Sequence, residues 1–304
     1  MNIMERLNDV VEYIELHLTQ EIALAELAKL TGLSTYHFQR MFSCIADLSV
    51  VDYIRRRRLT MAALELQETS AKVIDIALKY GYESPVSFAR AFKQMHHITP
   101  SEARGKNVAF CAYPRISFQI TVTGVCAMDY RIVKTEAIQV FGVEGLISTI
   151  GEKGYYGNVG EMWRDNHQNG AYEKLFQDIG NERPQSYSQM FARDDMCRIH
   201  GLMNFKKLND TTYGYMQCGF VTPAGKTKGY SMFEVPPTTW AVFPFALEQW
   251  DIGKAVQAFN KRFYSEWLPV SGYEKADAPE FEMYGGSPEN GYLEFWMPVL
   301  KKRD

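Results

Sequence analysis

The sequence predicts two domains, an all-helical one over residues 1–106 and an α+β one over residues 109–304. Three observations carry this. The chain has 304 residues, against roughly 100–200 for a typical domain. From Ile3 to Arg104 apolar residues recur at three- and four-residue steps, with no proline before Pro85. From about Val108 the spacing changes to alternation, as in Ile116, Phe118, Ile120 and Val122, the period of a half-buried strand. The composition, 46% apolar and 23% charged, is that of a globular chain and excludes a disordered or collagen-like one. No apolar run approaches the ~20 residues that span a bilayer, and the start MNIMERLNDV has no apolar signal segment. The five cysteines (Cys44, Cys111, Cys126, Cys197, Cys218) form no C-x-x-C pair, which argues against a zinc site or a disulfide framework. The expectation is a cytoplasmic protein with no membrane partner, no metal and no cofactor.

In the helical half, Ile3, Leu7, Val10, Val11, Ile14 and Leu18 mark one apolar helix face. An internal repeat follows. One copy reads Leu27-Ala28, Gly32, Phe38, Arg40, Phe42; the other reads Ile76-Ala77, Gly81, Phe88, Arg90, Phe92. The alanine lets two helices approach, the glycine supplies the positive φ of a tight turn, and two phenylalanines one turn apart anchor the second helix. That is the skeleton of a helix-turn-helix, and Arg40 and Arg90 project from the face where a recognition helix meets base edges. A helix from about Ser49 to Glu68 joins the copies and spans roughly 30 Å, close to the ~34 Å turn of B-DNA. Charge is partitioned accordingly: residues 40–106 hold 11 basic against 7 acidic residues, whereas the whole chain carries −3. The run Arg55–Arg58 is expected to be a solvated face with ion pairs to Asp52 and Glu65, and His96 and His97 to be cap or surface residues.

The second half predicts strands at Val140–Ile147, Met190–Phe205, Thr212–Val221, Thr239–Phe245 and Tyr292–Val299, with helices near Val159–Ile179 and Ile252–Leu268. These assemble into a strand-helix-strand-strand unit that occurs twice around an antiparallel sheet. Glu294 stands out. Strand periodicity puts it on one face with Tyr292 and Trp296, where a carboxylate is costly to bury unless it meets a cation or hydrogen-bond donors. Trp163 and Phe245 are further cavity candidates, and Tyr155 and Tyr156 lie in a loop suited to cover such a site. The chain has no G-x-S-x-G, P-loop, H-E-x-x-H or G-x-G-x-x-G motif, so no catalytic residue is assigned and the expectation is not an enzyme.

The segments LAKLTGLSTYHFQRMF, DYIRRRRLTMAALEL and IDIALKYGYESPVSFARAFKQMHHITPSEAR resemble the AraC/XylS family of bacterial transcription regulators over residues 8–104. The resemblance implies double-stranded promoter DNA as a partner, RNA polymerase as a further one, and activation as the commoner mode. It assigns Thr35, Tyr36, Gln39 and Arg40 to the first recognition helix and Val86, Ser87, Arg90 and Lys93 to the second. Arg40 suits guanine and Gln39 adenine. The chain departs from the family at Pro85 and Val86, which cannot hydrogen-bond bases through their side chains. FGVEGLISTI, TWAVFPFAL and YLEFWMPVLKK resemble the GyrI-like effector-binding domain over residues 109–302, in the Rob-like order of reader first and sensor second. This implies a small cationic or amphipathic aromatic effector, with Glu294, ahead of Pro298, as its counter-charge in a cavity with Tyr292, Trp296, Trp163, Phe245 and Tyr155. Two alternatives stay open: a GyrI-like hydrolase fused to a DNA-binding module, and a C-terminal protein–protein module without a ligand.

Overall fold

A computed structural model describes residues 3–105, 108–119, 128–149, 157–184, 186–247, 250–287 and 289–302. The chain divides into two compact units, a helical one over residues 1–121 apart from 43–45 and a mixed one over residues 122–304.

The helical unit contains Ile3–Leu16 (α1), Leu24–Thr31 (α2), Thr35–Ala46 (α3), Val50–Glu68 (α4), Val73–Lys79 (α5), Pro85–His96 (α6) and Pro100–Ala103 (α7). The sequence repeat becomes two helix pairs, α2–α3 and α5–α6. Each turn glycine is left-handed, φ 71° at Gly32 and 82° at Gly81. A Cβ would stand 2.9 Å from Arg6 Nη1 in the first copy and 2.9 Å from Arg58 Nη1 in the second, which those long side chains could yield to, so it is the positive φ that demands glycine. Ser34 and Ser84 cap the second helices, accepting from the backbone N–H of His37 and Ser87. The anchoring rings are buried, Phe38 to Phe42 at 6.1 Å and Phe88 to Phe92 at 5.4 Å. The 19 residues of α4 span roughly 28 Å.

The arginine run is mostly structural. Arg57 is buried and forks onto Glu15 at 2.8 and 2.7 Å, while Arg58 donates to the carbonyls of Leu18 and Gln20 beyond the end of α1. Arg55 pairs with Asp52 as expected, but Glu65 pairs with Lys79 rather than with an arginine. His96 is no surface residue either. It is buried, with its ring nitrogens against the carbonyls of Cys111 and Leu59.

The boundary expected between residues 106 and 109 falls later, because 108–119 belongs to the helical unit. The alternation at Ile116 and Phe118 does not become a strand. Helix side chains satisfy that backbone instead: Asn8 exchanges two bonds with Phe118, Thr60 accepts from Tyr113 N–H, and Tyr53 from Ile116 N–H. Ile120 and Val122 lie outside the described residues.

The mixed unit runs Arg131–Thr135 (β1), Ile138–Ser148 (β2), Gly157–Gln168 (α8), Ala171–Ile179 (α9), Tyr187–Met190 (α10), His200–Asn209 (β3), Thr212–Phe220 (β4), Ser231–Val235 (β5), Thr238–Leu247 (β6), Ile252–Arg262 (α11), Tyr273–Lys275 (β7), Glu280–Gly286 (β8) and Gly291–Lys301 (β9). Three expectations shift. The helix at 159–179 breaks at left-handed Gly170, α11 ends in a π-helical turn, Phe263–Trp267, and the strand expected from Met190 starts only at His200. The sheet order is β1-β6-β9-β8-β3-β4-β2-β5, antiparallel throughout, with β7 added on β9.

The duplicated unit is β2-α8/α9-β3-β4 and β6-α11-β8-β9, related by a pseudo-twofold. Arg131–Thr135 pairs with Val242–Thr238, and Ser231–Val235 pairs with Gly142–Ile138, the same register with the numbers moved by one repeat. Each half lends its first short strand to the other. Gly201 on β3 faces Glu282 on β8 at the axis. Strands β1 and β2 lie six places apart in the sheet, about 29 Å if it were flat, yet only Glu136 and Ala137 join them, a reach of about 11 Å. The sheet must curl. One face carries α8, α9 and α11; the opposite face buries Leu202, Met216, Trp240, Phe281, Met283 and Trp296 beneath Tyr187, Met190 and Phe191.

Candidate functional site

A cavity of about 430 Å³ lies between α8 and α11 over the middle of the sheet. Val159, Gly160, Trp163 and His167 reach it from α8, at the three- and four-residue spacing of one helix face. Tyr172 contributes from α9, Ile252, Gly253 and Val256 from α11, Trp250 from the turn before it, and Cys197 and Ile199 from the approach to β3. Glu282 and Tyr284 of β8 form the floor.

Glu282 is 1% exposed and accepts from the Tyr284 hydroxyl at 2.6 Å. The Tyr284 and Tyr215 hydroxyls are hydrogen-bonded to each other, and Trp163 Nε1 donates to Tyr215 at 2.7 Å. A polar chain thus runs from α8 to the carboxylate. Gly201 makes room for it, since a Cβ there would stand 2.5 Å from the Tyr215 hydroxyl. Burial first, and the Glu282 charge next, push both phenols well above their ordinary range, so both stay neutral. The walls are aromatic: Trp163 meets Tyr284 edge-on at 5.4 Å, and Tyr172 lies 3.9 Å from the His167 ring. His167 also approaches Glu173 at 3.3 Å, both half-exposed at the rim. Such a cavity buries an aromatic body and offers one carboxylate to a positive charge.

Glu294 lies on the opposite face of the sheet and is fully buried. Tyr292 donates to its Oε1 at 2.8 Å, and Trp296 Nε1 and Arg131 Nη2 donate to its Oε2 at 2.9 and 2.7 Å. The flanking aromatics expected around Glu294 are there, but the cation it meets is the chain's own guanidinium. The structure therefore does not unite the residues grouped from the sequence. Trp163 lines the cavity at Glu282. Phe245 faces the helices but packs into the core against Phe259 and Phe295, at 5.6 and 5.3 Å. Tyr155 and Tyr156 lie outside the described residues. Glu282, Tyr284 and Tyr215 escaped the sequence reading. The signal for Glu282 and Tyr284 was the alternation Glu280-Phe281-Glu282-Met283-Tyr284, a strand pattern whose charged face turns inward.

The two second helices of the repeat differ in exposure. On α6, Val86, Ser87, Arg90 and Lys93 are exposed. On α3, Thr35, Tyr36, Gln39 and Arg40 are buried, with Gln39 donating back to the Thr35 carbonyl. Of the two faces that the sequence assigns to DNA, the one on α6 is exposed and the one on α3 is buried. Among the described residues, no group of His, Cys, Asp and Glu is arranged to hold a metal ion, and no helix is long and apolar enough to cross a membrane.

Comparison with known proteins agrees with this architecture. A family model described as a helix-turn-helix domain matches residues 27–106, and one described as an integron-associated effector binding protein matches residues 131–299. The chain is 43% identical over 95 residues to the HTH-type transcriptional activator AarP of Providencia stuartii, covering 31% of this chain and 70% of that protein. It is 38% identical over 98 residues to the regulatory protein SoxS of Escherichia coli K12, covering 32% of this chain and 92% of that one. A solved integron cassette protein of Vibrio cholerae aligns at 13% identity and a TM-score of 0.34, over 56% of this chain and 95% of that chain. The chain belongs to the AraC-type helix-turn-helix transcription regulators and, through its second unit, to the integron-associated, GyrI-like effector-binding proteins.

Proposed function

We propose that the chain is a one-component activator. Its two helix pairs bind promoter DNA, its cavity takes a small aromatic or amphipathic cation with Glu282 as counter-charge, and the DNA-bound form engages RNA polymerase. The observation that carries the effector reading is the buried Glu282 on the floor of an aromatic-walled cavity. A cation bound there gains roughly 0.5–2 kcal/mol from each well-placed ring, beside its attraction to the carboxylate. Binding rather than turnover fits the same groups. Tyr215 and Tyr284 are pushed away from the range of a useful base, and burial pushes the Cys197 thiol up as well.

For DNA, the exposed stripe Val86, Arg90 and Lys93 on α6 supports the second recognition helix as a reader. Thr35, Tyr36, Gln39 and Arg40 hold the matching positions of the first repeat and require exposure in the DNA-bound form. The test is DNA affinity of the full-length protein with and without cationic and neutral dyes of similar size. Cations that shift the affinity where neutral dyes do not support the reading; no response to any of them contradicts the effector role.

A further inference from the structure

We infer that Val86 is itself a base reader, and that the half-site under α6 contains a thymine whose 5-methyl group it covers, within about two base pairs of a guanine bonded by Arg90. The inference deepens the DNA-binding function proposed above and rests on it.

Val86 is 79% exposed at the first turn of α6, directly after Pro85. A lone exposed valine needs no explanation on most surfaces. This one occupies the N-terminal turn of a recognition helix, where side chains meet base edges. Its neighbours narrow the choice. The Ser87 hydroxyl is spent on the helix cap, donating to the Ser84 carbonyl at 2.9 Å and accepting from the Ser84 hydroxyl at 3.0 Å. Phe88 and Phe92 are buried in the anchor. What α6 offers outward is the stripe Val86, Arg90, Lys93, spaced four and then three residues along one face. The Arg90 side chain is exposed.

The chemistry of the major groove then assigns the base. Val86 has no donor or acceptor beyond its backbone, so it can discriminate only by apolar contact. Thymine alone among the four bases carries a methyl group there. Valine's branched side chain is stiff at χ1, so it presents its methyls at little entropic cost. Arg90 lies four residues on, about 6 Å along the helix axis, or roughly two steps of 3.4 Å, and its fork matches guanine O6 and N7. Lys93, nearly another turn along, reaches the backbone phosphates. Burying one methyl group is worth roughly a fourfold change in affinity.

The test uses the full-length protein. Duplexes are selected from a random pool, and each thymine of the recovered site is replaced in turn by deoxyuridine, which removes only the methyl group. Titrations at fixed salt are expected to show about a fourfold loss at one position for wild type. Val86→Ala should bind the thymine and deoxyuridine duplexes equally, and Val86→Thr, which keeps one methyl, should retain part of the preference. Because Val86 is exposed, neither substitution threatens the fold. Equal binding of thymine and deoxyuridine by wild type at every position overturns the inference, as does Val86→Ala retaining the full preference; both outcomes leave DNA binding standing. Failure to select any sequence removes the proposed DNA function and the inference together.

Discussion

Two buried carboxylates sit on neighbouring strands of one sheet, and they are finished differently. Glu294 on β9 receives two neutral donors and the Arg131 guanidinium, all from its own chain. Glu282 on β8 receives the Tyr284 hydroxyl and fronts a cavity of about 430 Å³ walled by Trp163, Tyr172 and Trp250. Both strands obey period two, so residues 280, 282 and 284 face the helices while 292, 294 and 296 face the opposite core. A carboxylate flanked by aromatics can thus sit in a closed core or at a cavity, and the sequence pattern alone does not say which. What distinguishes the two is their surroundings: Glu294 lies in a closed core against Arg131, and Glu282 lines a cavity.

Four substitutions or conditions sharpen this contrast, beginning with the largest expected effect. Arg131→Ala leaves the Glu294 carboxylate buried without its cation and should cost roughly 3 kcal/mol in chemical denaturation, while cation affinity at the cavity stays within twofold. Acid should act by nearly as much through His200. Its Nδ1 accepts from the Tyr284 backbone N–H, and burial lowers its pKa from 6.5 to about 3. The folded state thus favours the neutral ring. Its contribution is complete above pH 6.5 and is lost as pH falls towards 3, about 3 kcal/mol by pH 4. His200→Gln, which does not titrate, should flatten that part of the stability–pH curve. An unchanged curve contradicts the assignment.

Smaller effects test the cavity wall and its neighbour. Trp163→Phe removes the donor to Tyr215 and the best cation–π surface, so cation affinity should fall about fivefold with little change in stability. Phe245→Leu should do the reverse, costing about 1 kcal/mol of stability and leaving affinity unchanged, because Phe245 packs on Phe259 and Phe295. Calorimetry and denaturant melts on the same preparations separate the two outcomes.

Much of this was legible in the chain. The helix-turn-helix repeat follows from glycines and anchoring aromatics at matched spacing, and the structure places Gly32 and Gly81 in the left-handed turns that spacing demands. The duplicated β unit was equally readable. The cavity was harder, for a physical reason. Glu280, Phe281, Glu282 and Met283 alternate as an exposed amphipathic strand would, yet here both carboxylates are buried, Glu280 against Lys275 at 2.9 Å and Glu282 in the cavity floor. Periodicity reports that two faces differ, not which of them is wet. Ile116 and Phe118 mislead in the same way, since their alternation serves an extended segment bonded to helix side chains. Arg57 and Arg58 show that a charge run also counts residues committed to Glu15 and to the end of α1.

The most direct test of the central claim is calorimetry of a planar aromatic cationic dye with wild type, Glu282→Gln and Glu294→Gln. Each substitution keeps the side-chain shape and removes the charge. The account predicts that Glu282→Gln weakens the cation at least tenfold, about 1.4 kcal/mol, and leaves a neutral dye of similar size unaffected, whereas Glu294→Gln lowers stability but holds cation affinity within twofold. The reverse pattern, with affinity lost in Glu294→Gln and kept in Glu282→Gln, would contradict it.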